Sequence, residues 1–535
     1  MCRVAWGVRR RTFEVSLVPN VNAANLVVTR VDAGADDVGD QVRLVFRPDI
    51  EWRSFHEKTK AYAGAENLFR EKSAALTGEQ QGFVFNPYNG KFVLTIENGV
   101  YHHEPQWTYG VAHPEEVERG QGPDSDLFSP GWISADLKRG DRVILHGEMN
   151  PAAAKTKAAK KLKVPHFPMR KANKQLLTIG EAMRPALDLF IVRRDELKTV
   201  IAGYPWFLDW GRDTFIAMRG LITAGKIEES VAILRAFAAF EENGTLPNII
   251  YGKTAGNRDT SDAQLWFILA IKEILAAHPE LDLSDLRPTC ESIIDHYIGG
   301  TPNGIHMDQA SGLIWSPSHF TWMDTNYPAC TPRIGYPVEV EALWILALEF
   351  LGRKTLAELA RANFERLFKW PGHGYRDCLA APNGEPAAQA TPEDTIRPNQ
   401  LLLISIGISK DPSIVQACEE LLIPGSIRTL NAGHPLYRAA YTGDEDTSRK
   451  PAYHNGTAWG WPFPMFAEAM FKTGLATKEM ARQILASAVE NLNTGCLCHM
   501  SEIADADAPH AQKGSCAQAW TESEVLRVWL LLGGK

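Results

Sequence analysis

Near residue 165 the hydrophobic period of this sequence changes, and no other feature constrains its fold as tightly. Before that point, apolar and polar residues alternate in short runs at 12–18, 41–46, 82–85, 91–96 and 142–145. A period of two, punctuated by Pro, Gly, Asn and Asp, predicts antiparallel β structure of sandwich type. After it, a period near 3.6 recurs in twelve segments: 173–191, 210–224, 226–242, 259–277, 283–298, 336–351, 354–368, 396–408, 411–422, 457–473, 476–491 and 515–532. These come in pairs with short inner turns, such as Ala224-Gly225, and longer aromatic-rich connections separate the pairs. The expected organisation is a β-sandwich over 1–150, a basic linker over 151–172 and a helical domain over 173–535.

Twelve helices with no strand between them exclude an α/β barrel. A solenoid would carry a fixed sequence repeat, and none is visible. The expectation is therefore a mainly α protein, an (α/α)6 barrel or six-hairpin toroid preceded by a smaller antiparallel β-sandwich. Long polar connections in such a ring place function at one mouth.

Composition removes other classes. Of 535 residues, 45% are hydrophobic and 22% charged, which is globular rather than disordered. Lys and Arg number 56 against 64 Asp and Glu, a net charge of −8, a poor match to nucleic-acid backbones. The basic stretch 155–174 reads as a solvated linker or linker helix rather than a nucleic-acid patch. No apolar run approaches 18 residues and the N-terminus has no signal-like apolar core, so no membrane partner and a cytoplasmic location are expected. The eight cysteines are sparse. Only Cys496-Leu497-Cys498-His499 looks ligand-like, and without a second ligand pair it reads as structural, with no metal or cofactor expected.

The chain has 15 tryptophans, eleven of them beyond residue 200. Sugars present hydroxyls to carboxylates, Asn and Arg, and flat C–H faces to aromatic rings, so a sugar pocket interleaves the two. Four loops do this. The first, GYPWFLDWGRDTF, holds Tyr204, Trp206, Asp209, Trp210, Arg212 and Asp213. Asp209 also reads as a helix N-cap and Asp213 as a structural partner for Arg212. In the second, Asp262 and Trp266 stand at i and i+4 and share a helix face, while Thr260 or Ser261 suits an ordinary cap. In the third, Trp322 precedes Asp324 by two residues, and Glu339 opens a Pro-bounded helix. An aromatic wall raises a carboxyl pKa toward that of a general acid, although a solvated loop acid fits the spacing equally. The fourth group contains Trp459, Glu502 and a final aromatic helix entry at Trp520, and Glu502 alone would pass for an ordinary glutamate. No nucleophile elbow, P-loop or zinc-protease motif occurs in a supporting context. Paired carboxylates in an aromatic pocket point to glycoside hydrolysis.

The strings GYPWFLDWGRDTFIAMRGL, HFTWMDTNYP with GYPVEVEALW, YHNGTAWGWP, and SEIADAD followed by GSCAQAW resemble the amylo-α-1,6-glucosidases, the glucosidase part of glycogen debranching enzymes. GQGPDSDLFSPGWISADLKRGD is similar to the β-sandwich that precedes the barrel in bacterial and archaeal forms. The resemblance covers nearly the whole chain. It implies that Asp324 is the general acid, that Glu502 is the general base, and that Arg212 and Asp213 grip the terminal glucose. Tyr204, Trp206, Asp209, Trp210, Asp262, Trp322, Glu339 and Trp459 are the implied walls and sugar contacts. Two departures stand out. The glutamate lies in MSEIADAD where relatives read more like P-E-L/I-x-[ND], and the sandwich starts abruptly, as expected if early strands are missing. Nothing resembles the (β/α)8 transferase half of the bifunctional enzymes, so hydrolysis without oligosaccharide transfer is expected.

The implied reaction is inverting release of glucose from α-1,6-linked branch points of an α-glucan such as glycogen or limit dextrin, with the two carboxyl groups roughly 6.5–9.5 Å apart. A glucoamylase- or trehalase-like α-glucosidase, a non-catalytic glycan-binding barrel and a helical scaffold for protein partners remain open alternatives.

Overall fold

The computed structural model describes residues 3–8, 11–18, 21–30, 41–53, 57–88, 90–118, 122–151, 178–194, 197–251, 254–326, 328–496 and 498–534. The chain divides into two compact units, Met1–Lys174 and Gln175–Lys535. The basic stretch expected as a linker lies outside the described residues apart from Pro151.

The first unit contains β1 (Arg3–Val8), β2 (Arg11–Leu17), β3 (Ala23–Arg30), β4 (Gln41–Phe46), β5 (Ser73–Ala75), β6 (Gln81–Phe85), β7 (Phe92–Glu97), β8 (Val100–Ala112), β9 (Asp124–Lys138) and β10 (Arg142–Met149). Seven strands form one antiparallel sheet in the order β1-β2-β3-β10-β7-β6-β5, and β4-β9-β8 form a second. Val28, Phe85, Leu94 and Val143 of the first sheet share a core with Leu44, Phe128, Ile133 and Leu137 of the second. Alternation along each strand supplies those inward residues. Sequence alternation does not reveal β8, whose pairing with β9 shifts register between His103 and Gln106 and again between Thr108 and Val111. Each shift breaks the period of two. A helix over Ala63–Glu71 adds Phe69, which packs against Phe85, Trp107 and Phe128 at centroid distances of 5.1, 5.2 and 5.5 Å.

All twelve expected helical segments contain helix in the second unit: α1 (Ile179–Phe190), α2 (Gly211–Thr223), α3 (Ile227–Ala238), α4 (Ala263–Ala277), α5 (Arg287–Gly299), α6 (Val338–Phe350), α7 (Lys354–Phe368), α8 (Leu401–Ser405), α9 (Ser413–Cys418), α10 (Phe463–Lys472), α11 (Lys478–Ala486) and α12 (Ala519–Leu531). Six of them pack neighbour to neighbour in a circuit, α12 on α2, α2 on α4, α4 on α6, α6 on α8, α8 on α10 and α10 on α12. A helix that is apolar all round must be buried all round. Accordingly the largely apolar α6 is buried at every residue from Val338 to Leu348, whereas α12 is buried from Ala519 to Val528 although it carries Glu522, Glu524 and Arg527, whose charges are paired. The helices outside the circuit are amphipathic. α7 buries only Ala357, Ala360, Phe364 and Phe368, one stripe at spacings of three and four. Truncating Phe364 to alanine should cost about 3–5 kcal/mol.

One expectation is corrected. Short antiparallel ladders do stand between these helices, among them Gly203–Tyr204 with Ala517–Gln518, and a five-stranded sheet that includes Ala458–Trp459 and Ile503–Ala504. Two-residue strands have no period to read, yet buried loop backbone must still find hydrogen-bond partners. Farther along the circuit helices lies a buried ionic cluster. Arg527 binds Glu524 at 2.7 Å and Glu468 at 2.6 Å, Ser405 Oγ donates to Glu468 at 2.6 Å, and Arg219 reaches Glu524 at 3.4 Å. It ties α2, α8, α10 and α12 together. No described helix is long and apolar enough to cross a membrane.

Candidate active site

A cavity of about 90 Å³ opens where segments leading into four circuit helices meet. Its walls are Phe207 and Trp210 before α2, Arg212 and Asp213 in the first turn of α2, and Trp322 and Asp324 ahead of α6. Tyr453 and Trp459 ahead of α10, with Glu502, Gln518 and Trp520 around the start of α12, complete it. Trp322 meets Trp459 and Trp461 edge to face at 5.3 and 5.1 Å, and Trp461 stacks on Trp520 at 5.3 Å. Such pairings hold large rings at fixed angles.

Arg212 is 2% exposed, and each of its three nitrogens donates a hydrogen bond. Its Nε donates to both oxygens of Asp262 at 2.8 and 2.9 Å, Nη1 to Asp324 Oδ2 at 2.7 Å, and Nη2 to Thr260 Oγ1 at 3.2 Å and the Phe320 carbonyl at 3.3 Å. Asp324 turns 34% of its side chain to the narrow cavity while protein surrounds it on every other side. That burial raises its pKa above the ordinary carboxyl value, and the Arg212 charge opposes the rise. Burial also pushes Asp213 up to about 8, against Arg212, with the Asp324 and Glu502 charges adding to it. Gln518 Nε2 donates to Asp213 Oδ1 at 3.2 Å.

Glu502 is 4% exposed and held at both oxygens. The Tyr453 hydroxyl donates to Oε1, and the Ser515 backbone N–H donates to Oε2 at 3.0 Å. Ser515 follows Gly514, which has φ of +68°, and a Cβ there would stand 2.3 Å from Glu502 Oε2. Only glycine combines that backbone with that approach. His454 is fully buried, stacks on Trp459 at 5.0 Å, and has its pKa pushed well below the usual value by burial and by Arg397, Arg212 and Arg333. It is therefore neutral, with Nε2 3.9 Å from Asp324 Oδ1.

Of the residues singled out in the sequence, Asp324, Glu502, Trp210, Arg212, Asp213, Trp322, Trp459 and Trp520 meet at the cavity. Tyr204, Trp206, Asp209, Asp262 and Glu339 are not among its lining residues. Asp262 faces Arg212 rather than presenting itself beside Trp266, and Thr260 Oγ1 donates to its Oδ1 at 2.8 Å. Asp209 is no N-cap. Trp210 occupies that position, and Arg194 Nε binds Asp209 at 2.7 Å. Tyr204 stacks on Phe190 and donates to the Leu189 carbonyl at 2.7 Å. Glu339 pairs with Arg333, which also binds Asp377 at 2.7 Å. Asp377 accepts from Asn399 at 2.7 Å, and Asn399 accepts from Trp322 Nε1 at 2.8 Å. Glu339 thus stands behind the Trp322 wall and holds it through intermediaries. Phe207, Tyr453 and Gln518 escaped selection, although all three lie inside or beside the aromatic strings that marked the loops. At the C-x-C-H string, His499 Nδ1 pairs with Glu522 Oε1 at 2.9 Å, and no group of three metal-ligating side chains occurs among the described residues.

The sequence profile described as Amylo-alpha-1,6-glucosidase matches residues 185–527, and one described as Glycogen debranching enzyme N terminal matches residues 5–144. The chain is similar to the glycogen debranching enzyme of Saccharomyces cerevisiae, at 24% identity over 420 residues, covering 55% of this chain and 27% of that one. It therefore spans about a quarter of that relative's length. Among solved structures it is similar to the GH63 mannosylglycerate hydrolase of Thermus thermophilus in complex with Tris, with 12% identity, a TM-score of 0.47 and coverage of 65% of this chain and 100% of that one. The glucose complex of the same protein gives 12% identity, a TM-score of 0.48 and coverage of 65% and 99%. On the profile match across residues 185–527, which takes in every residue of the cavity, the chain belongs to the amylo-alpha-1,6-glucosidase family.

Proposed function

We propose that this chain is a glycoside hydrolase that releases single glucose units from α-1,6-linked branch points of glycogen or limit dextrin, with inversion at the anomeric carbon. The observation that carries the reading is the convergence of Asp324 and Glu502 on one small, tryptophan-walled cavity. The helical circuit supports an (α/α)6 barrel as the scaffold, with the cavity at the mouth formed by its helix starts.

In this reading Asp324, whose pKa burial raises, gives its proton to the glycosidic oxygen as the bond to the anomeric carbon breaks. Glu502 accepts a proton from a water on the opposite face of the ring, and that water's oxygen bonds to the anomeric carbon to give β-glucose. Tyr453 and Ser515 fix the orientation of the Glu502 carboxylate. Arg212 and Asp213 hold hydroxyls of the terminal glucose, and the indole rings cover its C–H faces while limiting access of bulk water.

The test is glucose release from a limit dextrin, with the anomer read in the first minutes by proton NMR. β-Glucose appearing first is the expected result. α-Glucose appearing first removes the inverting assignment. Faster hydrolysis of α-1,4 maltooligosaccharides or trehalose removes the linkage assignment.

A further inference from the structure

We infer that the β-sandwich unit carries a second binding site, for a neutral α-glucan chain, in a cavity bordered by Trp52, Tyr62 and Tyr88. The α-glucan identity rests on the substrate class proposed above; the site itself rests on the geometry of the first unit. The cavity measures about 660 Å³, within the roughly 300–1,000 Å³ typical of ligand sites.

The rings are held in place while their faces stay wet. Tyr62 is 65% exposed and Tyr88 54% exposed, an unusual placement for two large rings on one rim. Tyr62 is the N-cap of the Ala63–Glu71 helix, its carbonyl accepting from Glu66 N at 2.9 Å. Its ring lies so close over Gly64 that a Cβ there would stand 2.9 Å from Cε2. Tyr88 rests edge-on against the buried Phe69 at 6.2 Å, and Trp52 against Phe85 at 5.5 Å. Rings braced from behind and open in front lose little entropy when a ligand covers them.

Charge pairing selects the ligand class. Arg53 on the lining binds Glu51 at 2.9 Å, and Lys60 binds Asp124 at 2.9 Å with Lys58 at 4.0 Å from the same carboxylate. These cations already have carboxylate partners, so an anionic ligand would have to displace them. A neutral chain rich in hydroxyls, with flat C–H faces for the rings, needs no such displacement. A branched glucan offers many copies of that surface on the molecule whose branch ends enter the catalytic cavity. Holding it at a second point raises its effective concentration there.

The test uses the full chain carrying Asp324→Asn, so that binding is read without turnover, in native gels containing glycogen. Tyr62→Ala with Tyr88→Ala should weaken retardation roughly tenfold, below the ceiling of about 10²–10⁴-fold that bivalent attachment can supply. Tyr62→Phe with Tyr88→Phe, which keeps both rings, should retain it. In the otherwise unaltered chain the alanine pair should raise KM for glycogen and leave kcat and turnover of a small α-1,6-glucosyl saccharide unchanged. Matching thermal melts exclude a folding loss, as both side chains are exposed. Retardation unaffected by the alanine pair overturns the inference, as does equal retardation by a β-1,4-glucan. Ring-dependent glycogen binding in an unaltered chain that releases no glucose supports this site and removes the catalytic reading instead.

Discussion

Arg212 Nη1 donates to Asp324 Oδ2 at 2.7 Å, and the same guanidinium holds both oxygens of the buried Asp262. One cation therefore serves two carboxylates. Burial raises the Asp324 pKa, Arg212 lowers it, and the Asp262 charge raises it.

Removing the Asp262 charge fixes the sign of a pH effect. In Asp262→Asn the charge that raises the Asp324 pKa is gone and Arg212 faces Asp324 alone, so the Asp324 pKa falls. A general acid works only while protonated, and the alkaline limb of kcat/KM should move to lower pH. A limb that stays in place would show that Asp324 is not the acid.

The two carboxylates should separate by leaving group. Asp324→Asn and Glu502→Gln should each lower turnover of α-1,6-linked glucan by about 10²–10⁴-fold. α-Glucosyl fluoride departs with little need of a proton donor. Asp324→Asn should therefore keep most of its activity on the fluoride while Glu502→Gln does not. The reverse pattern would exchange the two roles.

What the sequence reveals and what it hides divide along physical lines. α6 is legible because burial on all sides demands largely apolar residues, and α7 because burial on one side demands a stripe. The cavity loops are legible because Trp, Asp and Arg together make poor core. The partner of each charge is not legible. Asp209, Asp262 and Glu339 lie in or beside the same dense loops as Asp213 and Asp324, yet each is turned to an arginine, Arg194, Arg212 or Arg333, away from the cavity. Asp324, by contrast, meets Arg212 and still lines it. A buried carboxylate that fixes an arginine and one that faces a substrate differ only in which way the fold turns them. The short ladders that join Gly203–Tyr204 to Ala517–Gln518 link positions more than 300 apart in sequence. No local pattern records such a pairing.

Gly514 should prove as demanding as the carboxylate beside it. With φ of +68° and a Cβ placed 2.3 Å from Glu502 Oε2, Gly514→Ala must strain its backbone and displace the carboxylate. The backbone strain alone costs about 1–3 kcal/mol. The expected result is a large fall in kcat with a modest fall in melting temperature, read by glucose release and calorimetry on the same sample. Unchanged kcat would mean that Glu502 does not depend on its seat against Gly514 and Ser515.

The ionic cluster of the helical circuit should govern stability without touching chemistry. Burial pushes the Glu468 pKa up, but Arg527, Arg219 and Lys472 outweigh it and hold the carboxyl well below its ordinary value. A depressed carboxyl stabilises the fold above its unfolded pKa of about 4.5 and loses that contribution as pH falls. Arg527→Met strips Glu468 and Glu524 of their shared partner and should cost about 3–5 kcal/mol near neutral pH. It also lets the Glu468 pKa rise toward its unfolded value, so stability should fall less steeply with acid below about pH 4.5 than in the unaltered chain. Urea unfolding measured from about pH 3 to 8 reads both effects. Activity per folded molecule should be unchanged, because no member of the cluster lines the cavity. An Arg527→Met chain as stable as its parent would show that the cluster fixes helix register rather than holding the circuit together.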